Sequence, residues 1–395
     1  MLDYEQLILD MESLVIFRDI LADDAIASLL KLLDPDTTSA KEKIGLYSGF
    51  AHKLFQSTEN LTEFIWKQIL DNENFYALAK AKNQKVPLIM ENALLNELEI
   101  LQRLSYLKSN DIIRNISYEG FLPHWTNSFI DFCAEYKKYI KHISTTGYGI
   151  YAKYLMFVFD GENIVPVKSP DPIKLSQLSG YKRSRKRVID NTLALLDGRH
   201  HSNVLLYGDA GTGKSSTVKA VVNRYGDLGL RLIEIRKADL LKIPSLMEML
   251  RDNPLKFIIF IDDLSFPQSS DDIGALKAIL EGTVYKKAPN IAIYATSNRR
   301  HLVKESFSDR ENDDVHRNET IEEQTSLSER FGMTVSFIRP NKDEYLNIVY
   351  DLARQYGLKN TENLELLAER YALERGGRSG RAARQLIEYL KSMEM

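Results

Sequence analysis

The run Gly208-Asp-Ala-Gly-Thr-Gly-Lys214-Ser215 has the spacing of a phosphate-binding loop. In such a loop, backbone N–H groups turn inward on the phosphates, the lysine reaches the β and γ oxygens, and the hydroxyl ligates Mg²⁺. The run lies between the apolar residues 204–207 and a helical pattern, and that helix adds its positive end. We expect ATP and Mg²⁺ to be held by Gly208, Asp209, Ala210, Gly211, Thr212, Gly213, Lys214, Ser215 and Ser216.

Two carboxylates and one amide follow other apolar strands of the same region. The strand 257–261 ends in Asp262-Asp263, and the strand 291–296 leads to Asn298. Because open α/β sheets bind ligands at the carboxyl ends of their strands, we expect these side chains beside the phosphate loop. Asp262 would then hold Mg²⁺ through water, together with the direct ligand Ser215. Asp263 would orient or deprotonate the attacking water, and Asn298 would contact both that water and the γ-phosphate. The alternative for the two aspartates is a polar end to a buried strand.

One arginine precedes the last predicted strand. Arg330, in Leu327-Ser-Glu-Arg330-Phe-Gly332, has the position from which an arginine projects into the nucleotide site of a neighbouring subunit. Such a residue accelerates hydrolysis by about 10³–10⁵-fold, so we expect a homo-oligomer in which one copy completes the site of the next. The alternative is a surface arginine that forms a salt bridge.

A second group of arginines begins the last predicted helix, in Gly376-Gly-Arg378-Ser-Gly-Arg381-Ala-Ala-Arg384. Helical spacing turns Ala383, Leu386, Ile387 and Leu390 inward and leaves Arg381 exposed on the first turn. We therefore expect Arg381, rather than Arg378 or Arg384, to close over the phosphates. A charge cluster at a helix start is the alternative.

The elements that must position these residues alternate between strand and helix, and this order predicts a parallel sheet covered on both faces. The predicted strands are 203–207, 230–235, 256–261, 290–295 and 333–338. The predicted helices between them are 214–225, 244–251 and 271–281, and those after Pro340 are 342–356, 364–375 and 380–392. We therefore predict an α/β fold with a C-terminal helical lid.

The first part of the chain has a different pattern. Apolar residues at spacings of three and four predict helices up to about residue 140, and six aromatic residues there are expected to pack in the core: Phe75, Tyr76, Tyr106, Trp125, Phe129 and Phe132. A hairpin follows, with strands at 151–159 and 163–167 and a turn at Asp160-Gly161. The predicted domains are 1–145, mainly helical; 146–170, hairpin and linker; 171–340, nucleotide-binding core; and 341–395, lid.

Composition bounds the class of protein. With 395 residues the chain exceeds what one core usually fills, and its net charge of −3 gives no global attraction to nucleic acid or membranes. The single cysteine excludes an intrachain disulfide, and seven scattered histidines form no zinc-ligand pattern. Neither a signal peptide nor a run of eighteen apolar residues occurs, so we expect a soluble cytoplasmic protein with no membrane partner.

Residues 171–395 resemble the AAA+ ATPase module, through the phosphate loop, the Asp262-Asp263 strand end, the polar strand with Asn298, Arg330 and the helical lid with Arg381. The strings Asp262-Asp-Leu-Ser-Phe266, Tyr294-Ala-Thr-Ser-Asn-Arg-Arg-His301 and Gly376-Gly-Arg-Ser-Gly-Arg381 are similar to those of the bacterial AAA+ family called domain of unknown function 815. The resemblance implies an AAA+ type α/β P-loop NTPase that binds and hydrolyses ATP. It also implies an adenine pocket at Leu178-Ser-Gly180-Tyr181.

Two departures from the AAA+ pattern concern activity. Most members carry Glu where Asp263 stands, and a displacement of about 1 Å can cost about 10²-fold in rate, so hydrolysis is expected to be slow or rearranged. Threading motors carry an aromatic-apolar-Gly motif after the second core strand, where this chain has Leu240-Leu-Lys-Ile-Pro244. Polypeptide threading is therefore disfavoured.

Three functions are consistent with these motifs. The first is an oligomeric ATPase that remodels or loads a macromolecular partner. The second is a slowly hydrolysing nucleotide-dependent switch, suggested by Asp263. The third is a DNA-dependent ATPase of the loader or branch-migration type, suggested by the basic runs 181–187 and 299–301. For the first run a solvated helix face is the alternative, and Arg299 could instead contact nucleotide between subunits. Residues 304–324 are strongly acidic and predict a mobile loop that could repel nucleic acid or dock a basic partner.

Overall fold

The computed structural model describes residues 3–264, 271–281, 288–298, 329–360 and 362–394. The chain forms two compact units, Met1–Lys153 and Tyr154–Met395. Within the described ranges, no helix has both the length and the apolar character that a membrane span requires.

The first unit is helical. Its helices are α1 (Tyr4–Glu12), α2 (Asp24–Leu33), α3 (Ala40–Phe55), α4 (Leu61–Asp71), α5 (Phe75–Ala81), α6 (Leu88–Ser105), α7 (Ser109–Ile113), α8 (Phe132–Lys141), α9 (Ile143–Thr146) and α10 (Ile150–Lys153). Trp125, in the non-helical segment 114–131, is buried and packs on the rings of Tyr47 and Phe50 at centroid distances of 5.3 and 5.1 Å. Tyr76 and Phe132 are buried as expected, whereas the side chains of Phe75 and Phe129 are exposed.

A buried carboxylate fixes the start of the first unit. Glu97 of α6 is only 3% exposed, and its two oxygens accept hydrogen bonds from the backbone N–H groups of Val15, Ile16 and Phe17 at 3.0–3.1 Å. These three N–H groups belong to the turn after α1, which has no helix partner for them. The carboxylate therefore satisfies donors that the turn would otherwise bury unpaired.

The second unit contains one seven-stranded sheet. The strands are β1 (Met156–Phe159), β2 (Ile164–Pro166), β3 (Val204–Gly208), β4 (Leu230–Ile235), β5 (Lys256–Ile261), β6 (Ile291–Ser297) and β7 (Met333–Phe337). Their order across the sheet is β2-β1-β4-β5-β6-β3-β7, and every pairing is parallel except β1 with β2. Five of the six residues of β5 are buried, because helices cover both faces. The predicted parallel α/β fold is confirmed.

The hairpin differs from the sequence prediction in two respects. Ile150–Lys153 is a helical turn, so the first strand starts at Met156 rather than at residue 151. The hairpin is also part of the sheet and not a separate linker, because Phe157 and its neighbours pair in parallel with β4. Alternating aromatic and apolar residues around 150 suit either a strand or a helix turn, and only the pairing partner decides between them.

Helices flank the sheet and form the lid. Those of the core are α11 (Lys182–Leu196), α12 (Lys214–Tyr225), α13 (Ile243–Leu250) and α14 (Asp271–Glu281), and those of the lid are α15 (Lys342–Gln355), α16 (Leu364–Glu374) and α17 (Gly380–Met393). In α11 the residues packed against the sheet are Val188 and Leu195, and Leu193 is half-buried. In α17 the expected inward residues Ala383, Leu386 and Ile387 are buried in the lid core.

We predict that Glu97→Ala lowers the free energy of unfolding of the first unit by about 3 kcal/mol, because it leaves the buried N–H groups of Ile16 and Phe17 and the part-buried N–H of Val15 without acceptors. Urea denaturation followed by circular dichroism measures this loss. Glu99→Ala, at an exposed position of the same helix, is the control and should change stability by less than about 0.5 kcal/mol. Equal effects of the two substitutions would contradict the structural role of Glu97.

Candidate functional site

The phosphate loop leaves the sheet at the end of β3 through a glycine that the structure requires. Gly208 has φ +139, and a Cβ there would collide with the carbonyl group of Phe337 on the neighbouring strand β7. Only glycine combines this backbone conformation with so close an approach. The loop then passes through Gly211 and Gly213, both with positive φ, and α12 starts at Lys214.

Lys214 lies at the centre of the site. Its ammonium donates to the backbone carbonyls of Gly208 and Asp209, both at 2.8 Å, and to Oδ1 of Asn298 at 3.1 Å. Burial lowers the pKa of this ammonium, while the carboxylates of Asp209, Asp262 and Asp263 oppose that effect. The loop lysine and the polar end of β6 are thus in direct contact, as the sequence predicted.

A magnesium-type donor pair lies beside the lysine. The Ser215 hydroxyl donates to Oδ1 of Asp262 at 2.6 Å, so the two expected metal ligands are adjacent. The same oxygen accepts a hydrogen bond from the Thr296 hydroxyl at 2.5 Å. A hydroxyl, a carboxylate and phosphate oxygens are hard donors that suit Mg²⁺, so the residues present fit this ion. Among the described residues there is no cluster of three or more His, Cys, Asp or Glu that would indicate another metal site.

The second carboxylate has an unusual backbone and a defined partner. Asp263 has φ +51, in the left-handed region, and its N–H donates to the Thr296 hydroxyl at 2.9 Å. Oδ1 of Asp263 accepts from the Asn298 amide at 2.8 Å, and Oδ2 lies 3.8 Å from Nζ of Lys237. The carboxylate is 63% exposed. It is therefore accessible from the cavity and linked to Lys214 through Asn298.

These residues line a cavity of about 600 Å³ between the core and the lid. The phosphate end is formed by residues 210–216 with Asp262, Asp263, Thr296 and Asn298. The opposite end is formed by Gln177, Leu178, Ser179 and Arg185 before and on α11, and by Ile348 and Leu352 on α15. From α17 come Gly380, Arg381, Arg384, Gln385 and Glu388. The apolar side chains of Leu178, Ile348 and Leu352, together with the polar residues of the phosphate end, suit a ligand with a ring and a phosphate chain.

Gly180 and Tyr181, two residues expected to contact the adenine ring, do not line the cavity. Gly180 packs against Ile348, and the Tyr181 hydroxyl donates to the carbonyl of Ile338 at 2.9 Å while its ring packs on Phe337. Leu178 and Ser179 of the predicted segment do line the cavity, together with Gln177. The left-handed conformation of Gly180 and Tyr181 turns the chain away here, and a sequence pattern does not show that turn.

The lid arginines are divided between the cavity and the lid, and only part of this division was expected. Arg381 lines the cavity, and its backbone N–H donates to the carbonyl of Gly211 at 3.0 Å, so α17 begins against the phosphate loop. Arg378 instead forms two hydrogen bonds with Glu369 of α16, at 2.9 and 2.6 Å. Arg384 also lines the cavity, which the sequence argument had ranked lower. Both Arg381 and Arg384 are therefore placed to face a nucleotide.

Arg330 lies at the amino-terminal end of the parallel strands, opposite the end that carries the phosphate loop. It precedes β7, whose first residue Met333 pairs with Val204 and whose last residue Phe337 pairs with Gly208. A five-residue strand, about 15 Å long, therefore separates Arg330 from the phosphate loop of its own chain. The structure does not bring this arginine into the cavity with the other expected residues.

Two contacts of the site were missed by sequence analysis. Thr296 joins the strand end of β6 to Asp262, and an inward-facing polar residue at the end of an apolar strand was the available signal. Arg339 donates its backbone N–H to Oδ2 of Asp209 at 2.8 Å, which connects the phosphate loop to the start of the lid. No local pattern indicated this pair, because the two residues are far apart in sequence.

The basic run 181–187 is described by the structure, whereas the other two charged segments are not. In the basic run 181–187 the side chains of Lys182, Arg183, Lys186 and Arg187 are exposed, whereas Arg185 lines the cavity. The second basic cluster, Arg299 to His301, and the acidic segment 304–324 lie outside the described residues.

The strand order, the phosphate loop after β3, the polar ends of β5 and β6 and the helical lid define an AAA+ type P-loop nucleotide-binding module. The chain belongs to the family described as "Protein of unknown function (DUF815)", whose model matches residues 152–394. No curated protein matches the sequence.

Solved structures show a distant similarity. The Thermotoga maritima RuvB Holliday junction branch migration motor is 17% identical with a TM-score of 0.38, over 56% of this chain and 65% of that chain. A Pro-to-Gly mutant of RuvB from the same organism is 18% identical with a TM-score of 0.39, over 56% of this chain and 66% of that chain. The chain thus spans less than two thirds of the length of these structures.

We predict that Gly208→Ala destabilises the second unit more than Gly198→Ala does. Both glycines have positive φ, but a Cβ at Gly198 meets nothing within 4 Å, whereas at Gly208 it meets the Phe337 carbonyl. The control should cost about 1–2 kcal/mol for backbone strain, and Gly208→Ala about 2 kcal/mol more for the collision. Thermal and urea unfolding of the two variants measure the difference, and equal costs would contradict the close approach of β7.

Proposed function

We propose that this chain binds ATP with Mg²⁺ in the cavity of its second unit and hydrolyses it as an oligomer that remodels or loads a macromolecular partner. The observation that carries the proposal is a continuous set of hydrogen bonds. It links Lys214 to Asn298, Asn298 to Asp263, and Asp263 through Thr296 to the Ser215–Asp262 pair. The set joins the loop to two strand ends, all facing one cavity.

The binding roles follow from the charges at the phosphate end. Lys214 supplies a buried cation for the β and γ oxygens, and the loop N–H groups supply further donors. Ser215 and Asp262 would hold Mg²⁺, which when bound neutralises charge on the phosphates. Arg381, whose charge already acts on Lys214, adds a cation from the lid. At the other end, Leu178, Ile348 and Leu352 offer apolar surface to a base.

Hydrolysis needs a group that orients or deprotonates water near the γ-phosphate. Asp263 is the exposed carboxylate at this place, and Asn298 contacts both Asp263 and the ammonium that would hold the γ-phosphate. The amide is thus positioned to connect the state of the phosphate with the orientation of the carboxylate. These contacts support a hydrolase rather than a simple nucleotide carrier.

The proposal includes the assembly of several copies of this chain, and it depends on the position of Arg330. Because Arg330 lies a strand length away from its own loop, it can act on a nucleotide only in another copy of the chain. We therefore propose a homo-oligomer, acting in the cytoplasm on a protein or DNA partner.

A second candidate is a nucleotide-dependent switch that hydrolyses slowly. The specific observation is that Oδ1 of Asp263 is already occupied by the Asn298 amide at 2.8 Å, on a side chain one methylene shorter than Glu. A displaced base lowers the rate while leaving binding unchanged.

We predict that Lys214→Ala weakens ATP binding by about a hundredfold or more, because the variant loses a buried cation that pairs with phosphate. Isothermal calorimetry with Mg-ATP measures the affinity, and thermal unfolding confirms that the variant is folded. Lys219→Ala, on the same helix but away from the cavity wall, is the control and should bind as the parent does. Failure of the parent protein to take up ATP would end the proposal.

We predict that turnover per subunit rises with protein concentration and that Arg330→Ala lowers it by about 10³-fold or more, without weakening ATP binding. Phosphate release assayed across a range of protein concentrations tests this, with sedimentation measured in parallel. Arg114→Ala, which removes an exposed arginine of the first unit, is the control. Rapid turnover that is independent of concentration would exclude the oligomeric ATPase, and negligible turnover at every concentration with tight ATP binding would favour the switch.

A further inference from the structure

Arg185 is the one member of the basic run 181–187 that lines the nucleotide cavity. It lies near the start of α11 and is half-buried, whereas Arg183 and Arg187 on the same helix are exposed. Its Nη1 donates to the carbonyl of Ser179, at the long distance of 3.4 Å. Four of the five N–H donors of the guanidinium thus have no protein acceptor among the described residues.

The charge of Arg185 is also uncompensated. Burial lowers the pKa of its guanidinium, and within the described part of the chain no carboxylate lies close enough to oppose that effect. A half-buried cation without a counter-charge or a full set of acceptors is costly in the ligand-free protein. Such a cost is typical of a binding residue whose acceptors belong to the ligand.

The position of Arg185 separates it from the phosphate end. The charges that act on the Lys214 ammonium are those of Asp209, Asp262, Asp263 and Arg381, and Arg185 is not among them. Arg185 instead contacts Ser179, in the wall segment that includes Gln177 and Leu178. The apolar lid residues Ile348 and Leu352 line the same cavity, and Ile348 packs beside Gly180.

We propose that Arg185 binds the nucleoside end of the nucleotide, with its guanidinium donating to acceptor atoms of the purine base and ribose. This inference rests on the proposed ATP site. A purine offers ring nitrogens as acceptors and a π-face on which a guanidinium can stack, so the planar fork of arginine suits it better than an ammonium does. The residue determines affinity for the base and ribose and takes no part in phosphate chemistry.

The test measures binding of adenosine, AMP, ADP and Mg-ATP to the parent protein and to Arg185→Gln and Arg381→Gln. Competition against a fluorescent ADP analogue gives all four affinities. Arg185→Gln should weaken all four ligands by a similar factor, about tenfold to a hundredfold, because the lost contacts belong to the part that they share. Arg381→Gln should weaken ATP more than adenosine. A loss in Arg185→Gln that grows with the number of phosphates would overturn the assignment.

A second measurement separates a binding role from a structural one. If Arg185 serves the ligand, Arg185→Gln removes a desolvated charge, and the melting temperature of the ligand-free protein should rise by about 2–4 °C. A structural role predicts a fall instead, and that result would contradict the proposal. Arg185→Lys keeps the positive charge but lacks the planar guanidinium, so its affinity for all four ligands should stay below that of the parent.

The control is Arg183→Gln, which removes the same charge at an exposed position of the same helix and should leave all four affinities unchanged. The two proposals fail in different ways. If the parent binds none of the four ligands, the ATP site itself is wrong. If the parent binds ATP, Lys214→Ala abolishes it and Arg185→Gln binds as the parent does, only the role of Arg185 is wrong.

Discussion

The site depends on one carboxylate oxygen. Oδ1 of Asp262 accepts hydrogen bonds from the hydroxyls of Ser215 and Thr296 and from the N–H of Asp263, so it connects the phosphate loop with the ends of β5 and β6. The contact is possible because β6 lies between β5 and β3 in the sheet, although it follows both in sequence. A parallel sheet turns all three carboxyl ends to one edge, and the strand order decides which polar residues meet there. Chemistry at this edge is therefore a consequence of topology.

The same edge concentrates cations that the ligand-free protein cannot fully compensate. Burial lowers the pKa of both Lys214 and Arg185, and Arg381 adds a third positive charge to the cavity wall. The carboxylates of Asp262 and Asp263 lie near Lys214 but not near Arg185. Residues chosen for stability alone would not be arranged in this way, because desolvated charge costs free energy unless an anion or acceptor meets it. This excess positive charge instead suits a ligand that has a polyphosphate chain at one end and a base at the other.

The sequence predicted the sheet, most element boundaries and the phosphate end of the site, because each depends on local signals. Glycines at positions of positive φ, apolar strands that end in Asp262-Asp263 and the spacing of Ala383, Leu386 and Ile387 can all be identified within short windows. What it missed depends on contacts between distant segments. Thr296 is distinguished from other strand threonines only by its bond to Asp262, and Gly180 and Tyr181 leave the cavity wall only because of a left-handed turn. Periodicity contains neither kind of information.

Whether hydrolysis is fast depends on how Asp263 uses its two oxygens. Oδ1 accepts the Asn298 amide at 2.8 Å, while Oδ2 has only the distant ammonium of Lys237 at 3.8 Å. A carboxylate has about four lone-pair sites, so the amide bond alone does not prevent Asp263 from accepting a proton from water. Asn298 also contacts Lys214, so any movement of the lysine toward a phosphate would shift the amide and its hydrogen bond to Asp263.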